Sequence, residues 1–475
     1  MALKRSILFL ISSLLISGCA HYPVNAPLQR ASSGPRGGYR FESMAAKDQS
    51  DDLLLMLAFS GGGTRAAALS YGVLEQLRDT KLGSVRTEHQ LLDDVDLISS
   101  VSGGSFTAAY YALHGDGIFV DFEKRFLKKR VQTGLLLRTL APWNQMRLAS
   151  PRFSRSDLAA EFYDSLLFNH ATFADLSGPF LSINATDVSS GARFEFTQDE
   201  FDLISSDISS FPVSRAVAAS SAFPILLSPV VLKNYSAGEK HAEPGWIETI
   251  LRDPSVSSRL KYVASQARSY ADGNRRFIHL VDGGLSDNLG LRGGLDRAMA
   301  REQFTRVPGL PAKIPRRVAI IIVDAHTESD YGWDSREHSV GLPSLLNSLS
   351  QVAVSHYSFE TTELFREVMM RLSREHSGER SEISPYVIEL HFRQVAVEAD
   401  RKFFNSVPTK LQLPSGTVDR LREMARSELA ANTDFQRLVR DLRNAPEDRI
   451  RLARDTSQAE EIANPITRIP TSTKK

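Results

Sequence analysis

The sequence predicts an α/β fold, because apolar runs of strand length end in turns rich in glycine or serine that lead into helical patterns. The first such unit is Leu53–Leu77, in which a run to Phe59 meets three glycines and then apolar residues at helical spacing. A second unit starts with Leu91–Ser100. A third observation is the fully apolar run Val318–Val323, which is typical of a central parallel strand.

Bulk composition places the chain among ordinary globular proteins. Its 475 residues are 42% hydrophobic and 24% charged, enough for one large domain or two smaller ones. The formal net charge is +1, so charge gives no support to a nucleic-acid partner. Cysteine and histidine residues form no metal-type cluster in the sequence, and neither a metal nor a cofactor is predicted.

The N-terminus predicts export. Lys4 and Arg5 precede the apolar run Ile7–Ser17, which is shorter than the roughly 20 residues that span a bilayer, so residues 1–18 are expected to be a signal peptide. Ile16-Ser17-Gly18-Cys19 resembles a bacterial lipobox, and Cys19 is the only cysteine. An ordinary signal peptide that happens to contain cysteine is the alternative. By resemblance to lipoprotein sorting, Ala20 implies an outer-membrane anchor in the bacterial envelope.

Composition also suggests the domain boundaries. Residues 19–50 are rich in Pro, Gly, Ser and Arg, which predicts a flexible tether. One α/β domain is expected over residues 51–430, followed by a helical extension and polar tail over 431–475. Within the domain, residues 118–156 form a basic and apolar helical insert. It is interpreted either as a surface helix packed on the domain or as a segment lying on an anionic membrane.

Three turns carry candidate functional groups. Gly61-Gly62-Gly63-Thr64-Arg65 points backbone amides at the space before a helix, where a phosphate or a developing oxyanion is stabilised. Ser102 lies in a sharp strand-to-helix turn, the place where hydrolases expose a nucleophilic serine. Asp282 ends the apolar run Phe277–Val281 and precedes two glycines. Taken singly, the Ser102 turn is better explained as a plain loop, and Asp282-Gly283-Gly284 as a turn or helix cap.

Together the three turns resemble the patatin-like phospholipase family. The oxyanion loop of that family is similar to the stretch Gly61–Arg65, its nucleophile falls on Ser102, and the aspartate of its Asp-Gly-Gly/Ala motif falls on Asp282. Two intervening blocks resemble Pro179–Asp187 and Ala216–Pro229. The sequence departs from the family at Ser100, which stands where the elbow motif has its first glycine.

The resemblance covers Leu53 to about Leu295. It implies a three-layer sandwich with a mostly parallel central sheet flanked by helices, with residues 51–430 as the hydrolase domain. It also implies a serine acyl hydrolase that acts on phospholipid or another lipid ester. The lipobox-like stretch, in turn, implies that the protein joins a membrane through lipidated Cys19.

The same resemblance implies a role for each site residue. Ser102 is the nucleophile, and Asp282 takes its proton directly, without a histidine. The proposed oxyanion hole consists of Gly61, Gly62, Gly63 and Gly103. The supporting residues are Arg65, Gly104, Gly283 and Gly284, of which Arg65 either fixes the glycine loop or makes an ordinary surface ion pair.

Three alternatives remain at this point. Phosphate or nucleotide binding is disfavoured because the glycine turn lacks both the Gly-Lys-Ser/Thr ending of a P-loop and the spacing of a dinucleotide-binding turn. A non-catalytic envelope lipoprotein of the same fold, binding lipid or a partner protein, is favoured only by Ser100. A triad that includes His279 or His326 is the third alternative.

Overall fold

The computed structural model of the protein describes residues 24–28, 37–43, 52–82, 89–224, 226–237, 244–301, 315–328, 337, 341–375 and 384–444. The strands in these ranges are β1 Ala26–Pro27, β2 Leu53–Phe59, β3 Val95–Val101, β4 Phe180–Asp187, β5 Arg193–Glu195, β6 Ser206–Asp207, β7 Val230–Lys233, β8 Phe277–Asp282, β9 Arg317–Asp324 and β10 Ser384–His391. Eight of them form one sheet, in the order β10-β9-β2-β3-β4-β8-β7, and β5 also pairs with β4.

The α-helices in the same ranges are α1 Gly63–Asp79, α2 Gly103–His114, α3 Ile118–Phe122, α4 Val131–Leu140, α5 Pro142–Leu148, α6 Arg155–Tyr163, α7 Gln198–Leu203, α8 Val213–Ser220, α9 Gly245–Arg252, α10 Ser258–Arg268, α11 Gly284–Asp287, α12 Arg292–Arg301, α13 Leu342–Glu375, α14 Glu398–Ser406, α15 Ser415–Ala431 and α16 Thr433–Arg443. One group packs α1 against α2 and α15, and another packs α12 against α13. None of the helices in the described ranges is both long and apolar enough to cross a bilayer.

The predicted three-layer sandwich is confirmed. Six of the seven residues of β2 are buried, as expected for a strand covered by helices on both faces. Leu54 and Met56 line a cavity together with α12, whereas Phe59 contacts α2 at Gly104. The five strands from β10 to β4 are parallel, and β5, β7 and β8 are antiparallel to their neighbours.

The prediction of a flexible tether over residues 19–50 is wrong for the parts that the structure describes. Asn25 bonds to Ser206 and to the backbone of Lys233, and β1 pairs with β6. Tyr39 and Phe41 are buried in the main core. These segments therefore pack on the domain. The signal peptide and Cys19 lie outside the described residues.

The insert over residues 118–156 is helical, as predicted, and comprises α3, α4, α5 and a π-helical turn at Glu123–Leu127. The C-terminal helical extension includes α16, whose Phe435, Leu438, Val439 and Leu442 are buried next to β10. That helix is thus part of the domain. The predicted polar tail lies beyond residue 444, outside the described residues.

Candidate active site

Ser102 stands in a strained turn between β3 and α2. Its backbone has φ 47° and ψ −115°, a left-handed conformation that non-glycine residues rarely adopt. Such strain is typical of the turn that lifts a nucleophilic serine out of a hydrolase sheet. Because the Ser102 side chain is only partly buried, it is accessible to a substrate.

Asp282 reaches Ser102 because β8 overlaps only the last residues of β4. Val101 pairs with Asn184, and the next residue of β4, Ala185, pairs with Asp282. The carboxyl end of an antiparallel strand thereby lies beside the carboxyl end of parallel β3. The Ser102 hydroxyl donates a hydrogen bond of 2.8 Å to Asp282 Oδ2. The structure therefore brings the two predicted catalytic residues together, although β8 runs antiparallel rather than along the parallel sheet.

The Asp282 carboxylate is buried, and no Lys, Arg or His among the described residues forms an ion pair with it. Burial raises its pKa to about 6, while hydrogen bonds from the Gly284 amide and the Ser102 hydroxyl act in the opposite direction. The Gly284 amide donates to Oδ1 over 2.8 Å, so the two carboxylate oxygens have separate donors. A carboxylate with this pKa is ionised at neutral pH and is a stronger base than an ordinary aspartate.

The glycine loop presents unused amides next to Ser102. Gly62 and Gly63 have φ of 139° and 61°, which a side chain would strain. A Cβ on Gly103 would lie only 2.5 Å from Gly63 N, so the two backbones touch. Within the described part of the chain, the amides of Gly62, Gly63 and Gly103 donate no hydrogen bond. The Gly61 amide, in contrast, donates to the Asn288 carbonyl over 3.0 Å, so it is not free to bind an oxyanion as expected.

Arg65 is buried and fixes the loop, rather than forming a surface ion pair. Its guanidinium donates to the carbonyls of Ala325 and Val407 and, over 3.0 Å, to the Thr409 hydroxyl. Burial lowers its pKa to about 10, so it remains cationic at neutral pH. One residue beyond Thr409, the Lys410 carbonyl accepts a 2.8 Å bond from the Thr64 amide. The 407–410 segment therefore holds the start of α1 in place.

The other predicted glycines make close backbone contacts. A Cβ on Gly104 would lie 2.7 Å from the Phe59 carbonyl oxygen, and one on Gly283 would collide with the Asn184 carbonyl. At Gly284 it would lie 3.0 Å from the Asn288 side chain. These three positions therefore keep the turns of β2, β3 and β8 in contact.

Ser100, the departure from the family pattern, is accommodated by hydrogen bonds. Its hydroxyl is buried, donates to the Ser182 carbonyl and accepts a 3.1 Å bond from Ser105. The buried Ser100 hydroxyl is therefore itself hydrogen-bonded.

Two supporting residues were missed by sequence reasoning. Ser220 accepts a 2.8 Å bond from the Ser102 amide and donates to the Asn184 carbonyl, so it holds the elbow on β4. Asn288 ends α11 and, through its carbonyl, holds Gly61. Asn288 follows Asp282 by only six residues, and this closeness in sequence could have indicated that it belongs to the site. Ser220 lies in an alanine-rich helix that gives no such signal.

No histidine among the described residues bonds to Ser102 or Asp282. The backbone carbonyl of His279 accepts from Val188, and its side chain is exposed. His326 is half-buried near Arg65, and burial lowers its pKa. In the same ranges, His, Cys, Asp and Glu side chains form no group of three or more that could hold a metal. The arrangement that the residues do form is a hydroxyl, a carboxylate and free amides at one edge of the sheet.

Comparison with solved structures finds human GIVD cytosolic phospholipase A2 among the similar proteins. One of its structures is 13% identical, with a TM-score of 0.38, and the match covers 85% of this chain and 65% of that one. A second, in complex with methyl gamma-linolenyl fluorophosphonate inhibitor and terbium chloride, is 14% identical, with a TM-score of 0.41 and coverages of 85% and 61%. The chain thus spans less than two thirds of the length of these proteins. No curated protein sequence matches it.

Comparison with models of protein families identifies the family of this chain. The model of the patatin-like phospholipase family matches residues 57–295, which is half of the chain and contains the glycine loop, the serine elbow and the Asp-Gly-Gly turn. The chain therefore belongs to the patatin-like phospholipases, a family of lipid-acyl hydrolases.

Proposed function

We propose that the protein is a serine acyl hydrolase that cleaves acyl esters of membrane lipids with a Ser102–Asp282 dyad. The observation that supports this most directly is the 2.8 Å hydrogen bond between the two side chains at the strained elbow. Family membership supports the lipid-acyl class of substrate.

In the proposed reaction, Asp282 accepts the hydroxyl proton as Ser102 Oγ attacks the ester carbonyl carbon. The carbonyl oxygen becomes an oxyanion, which the amides of Gly62, Gly63 and Gly103 stabilise. Protonated Asp282 then gives its proton to the leaving alcohol as the acyl–Ser102 ester forms. A water molecule, deprotonated by Asp282, releases the fatty acid and regenerates the serine.

The test is turnover of a chromogenic acyl ester together with labelling by a fluorophosphonate probe. Ser102→Ala is expected to abolish both, and Asp282→Asn is expected to lower turnover by at least about 10³-fold, because each removes a member of a unit that acts together. Ser255→Ala and Asp253→Asn, on an exposed turn, serve as matched controls with wild-type turnover. Turnover that survives in Ser102→Ala, with circular dichroism unchanged, would refute the dyad. Absence of probe labelling in the wild type would favour the non-catalytic lipoprotein.

We also propose that the chain is exported and anchored to the outer membrane of a bacterial envelope through lipidated Cys19. The lipobox-like stretch Ile16–Cys19 and the absence of any other cysteine support this. Cys19→Ser is expected to release the protein from pelleted membranes and to remove the mass of the lipid. Unchanged pelleting together with unchanged mass would contradict the anchor.

A further inference from the structure

The outer surface of α4 and α5 exposes a cluster of large apolar side chains. At least half of the surface of each is accessible. The cluster consists of Leu136, Leu137, Leu140, Trp143 and Met146. Single exposed apolar residues are normal, but five within eleven positions form a patch that indicates an interaction site.

The inner surface of the same helices is fixed to the domain. A Cβ on Gly134 would lie 2.8 Å from the Phe162 ring, so α4 crosses directly over α6. Leu148 packs against Phe153 and Leu158, and the Arg147 guanidinium lies 3.9 Å from the centre of the Phe153 ring. The helix pair is thus docked, and the apolar patch is its outward surface.

The surroundings of the patch are strongly basic. Between Lys124 and Arg155 the chain has nine Lys and Arg residues and no Asp or Glu. Some of these cations are paired, such as Arg147 with Glu161. Four exposed ones form neither an ion pair nor a ring contact among the described residues, namely Lys124, Lys129, Arg130 and Arg152. Arg138 also lacks an ion pair, but its guanidinium lies 4.6 Å from the centre of the Phe162 ring. Apolar side chains bordered by free cations are complementary to an anionic lipid surface.

The first turn of α4 is linked to the glycine loop through two short contacts. Gln132, in the first turn of α4, exchanges two 3.3 Å hydrogen bonds with the backbone of Leu411. The preceding residue, Lys410, holds Thr64 at the glycine loop. Another exposed apolar residue lies close in sequence to the candidate site. Leu226 is 69% exposed, and four residues before it the Ala222 carbonyl accepts a hydrogen bond from the Asp282 amide.

We propose that the outer surface of α4 and α5 is a docking surface for an anionic lipid bilayer, with the apolar cluster inserted and the free cations at the headgroups. The proposal rests on the proposed function, which it deepens by stating how the enzyme meets its substrate. A bilayer in contact with this surface would lie against the helix pair whose first turn is bonded to the segment that holds the glycine loop.

The test uses the full chain with Cys19→Ser, so that a lipid anchor cannot contribute to binding. Binding is measured by sedimentation with vesicles and by the blue shift of tryptophan emission, since Trp143 lies in the patch. Vesicles of phosphatidylglycerol with phosphatidylcholine are compared with vesicles of phosphatidylcholine alone. Leu136→Ser/Leu137→Ser/Leu140→Ser is expected to weaken binding about tenfold or more, because it removes most of the inserted apolar surface.

Two further variants separate the contributions. Lys129→Gln/Arg130→Gln/Arg152→Gln is expected to lose about tenfold or more in affinity for phosphatidylglycerol vesicles only. Tyr262→Ser/Phe359→Ser, which removes exposed aromatic side chains from α10 and α13, is the matched control and is expected to bind as the wild type does.

Hydrolysis of a water-soluble short-chain ester distinguishes the two proposals. The docking variants are expected to retain it and to lose hydrolysis of vesicle lipid. If the proposed function fails, soluble ester is not cleaved by any variant, while vesicle binding still reports on the surface. Wild type that binds neither vesicle, or a leucine variant that binds as tightly as wild type, would overturn the docking surface. Wild type that fails to bind vesicles would leave a protein partner as the occupant of the patch.

Discussion

Two buried carboxylates in this protein have opposite surroundings. Asp282, at the candidate active site, bonds to a hydroxyl and an amide, and burial raises its pKa to about 6. Glu195, on β5, lies between the guanidinium groups of Arg193 and Arg297. Despite its burial, these two arginines lower its pKa to about 2. Both side chains are almost completely buried, so burial alone does not set the pKa of a carboxylate. The two neighbouring cations decide that the pKa of Glu195 falls while that of Asp282 rises.

The difference teaches how one domain keeps some groups reactive while using others for stability. The Glu195 carboxylate is paired with Arg193 and Arg297, and these ion pairs hold β5 to α12. Its charge is therefore already neutralised by the protein. Around Ser102, counting only partners in the described ranges, the Asp282 carboxylate has no cation and the amides of Gly62, Gly63 and Gly103 have no acceptor. A buried carboxylate without a cation and amides without acceptors lower the stability of the fold. The same groups are the ones that can accept a proton or bind an oxyanion during the reaction.

The largest effect is expected from Glu195→Gln. It leaves two buried guanidinium groups without their counterion, which should lower the free energy of unfolding by about 3–5 kcal/mol. Because folding depresses the pKa of Glu195, its contribution is present above pH 4.5 and is lost as pH falls towards 2. Denaturant titrations at several pH values measure this, with exposed Glu398→Gln as a control that leaves stability unchanged. If Glu195→Gln is as stable as the wild type, the contrast drawn between the surroundings of Glu195 and Asp282 is wrong.

Gly103→Ala is expected to lower kcat/KM by about 10²–10³-fold, the usual cost of displacing one oxyanion donor. The added methyl would collide with Gly63 and push the free amides apart. Gly416→Ala, where nothing lies within 4 Å, is the matched control. Ester hydrolysis and circular dichroism are measured together, and full activity in Gly103→Ala would show that these amides do not bind the oxyanion.

Asp282→Asn is expected to raise the free energy of unfolding, by less than Glu195→Gln lowers it. Because folding raises the pKa of Asp282, its contribution to stability is present below pH 3.8 and is lost as pH rises through about 6. Asparagine does not ionise, so the variant should be more stable than wild type at pH 7–8, by about 1–3 kcal/mol. Thermal unfolding over pH 4–8 measures the difference. A variant less stable than wild type at pH 8 would contradict the assigned surroundings.

The smallest effect is expected from Thr409→Val, which removes one acceptor from Arg65. Loss of one such hydrogen bond is worth about 1 kcal/mol, so kcat should fall about fivefold while KM is unchanged, because the glycine loop loses support and the substrate surface does not change. Thr417→Val on α15 is the control. A change confined to KM would assign Thr409 to substrate contact instead.

Much of the fold could be predicted from the sequence, because its signals are local. The apolar runs at Leu53 and Val318 are strands inside the sheet, and the glycine turn that follows the first of them leads into a helix, as the pattern predicts. The direction of β8 could not be predicted, since nothing within Phe277–Asp282 states which neighbour it pairs with. The packing of Asn25, Tyr39 and Phe41 was missed because isolated anchoring side chains in a polar stretch have no period.

The candidate site was predictable to a similar extent and for a similar reason. Ser102, Asp282 and the glycines lie in turns whose residue types are unusual enough to be noticed. Their supports are ordinary residues that act through position. Ser220 sits on a different helix, and Thr409 and Lys410 lie more than a hundred residues beyond the stretch that resembles the family. Contacts of that kind depend on the folded chain.

If Cys19 carries the lipid that we propose, the attachment of Asn25 to Ser206 and Lys233 limits how far the domain can stand from that lipid. Five peptide steps join Cys19 to Val24, the first described residue, and an extended chain advances at most ~3.6 Å per step, so the reach is ~18 Å. A domain held within that distance of its anchor would not reach a second vesicle or the opposite monolayer. It would be restricted to the leaflet that carries its own anchor, which turns lipid sidedness into the main determinant of what it degrades.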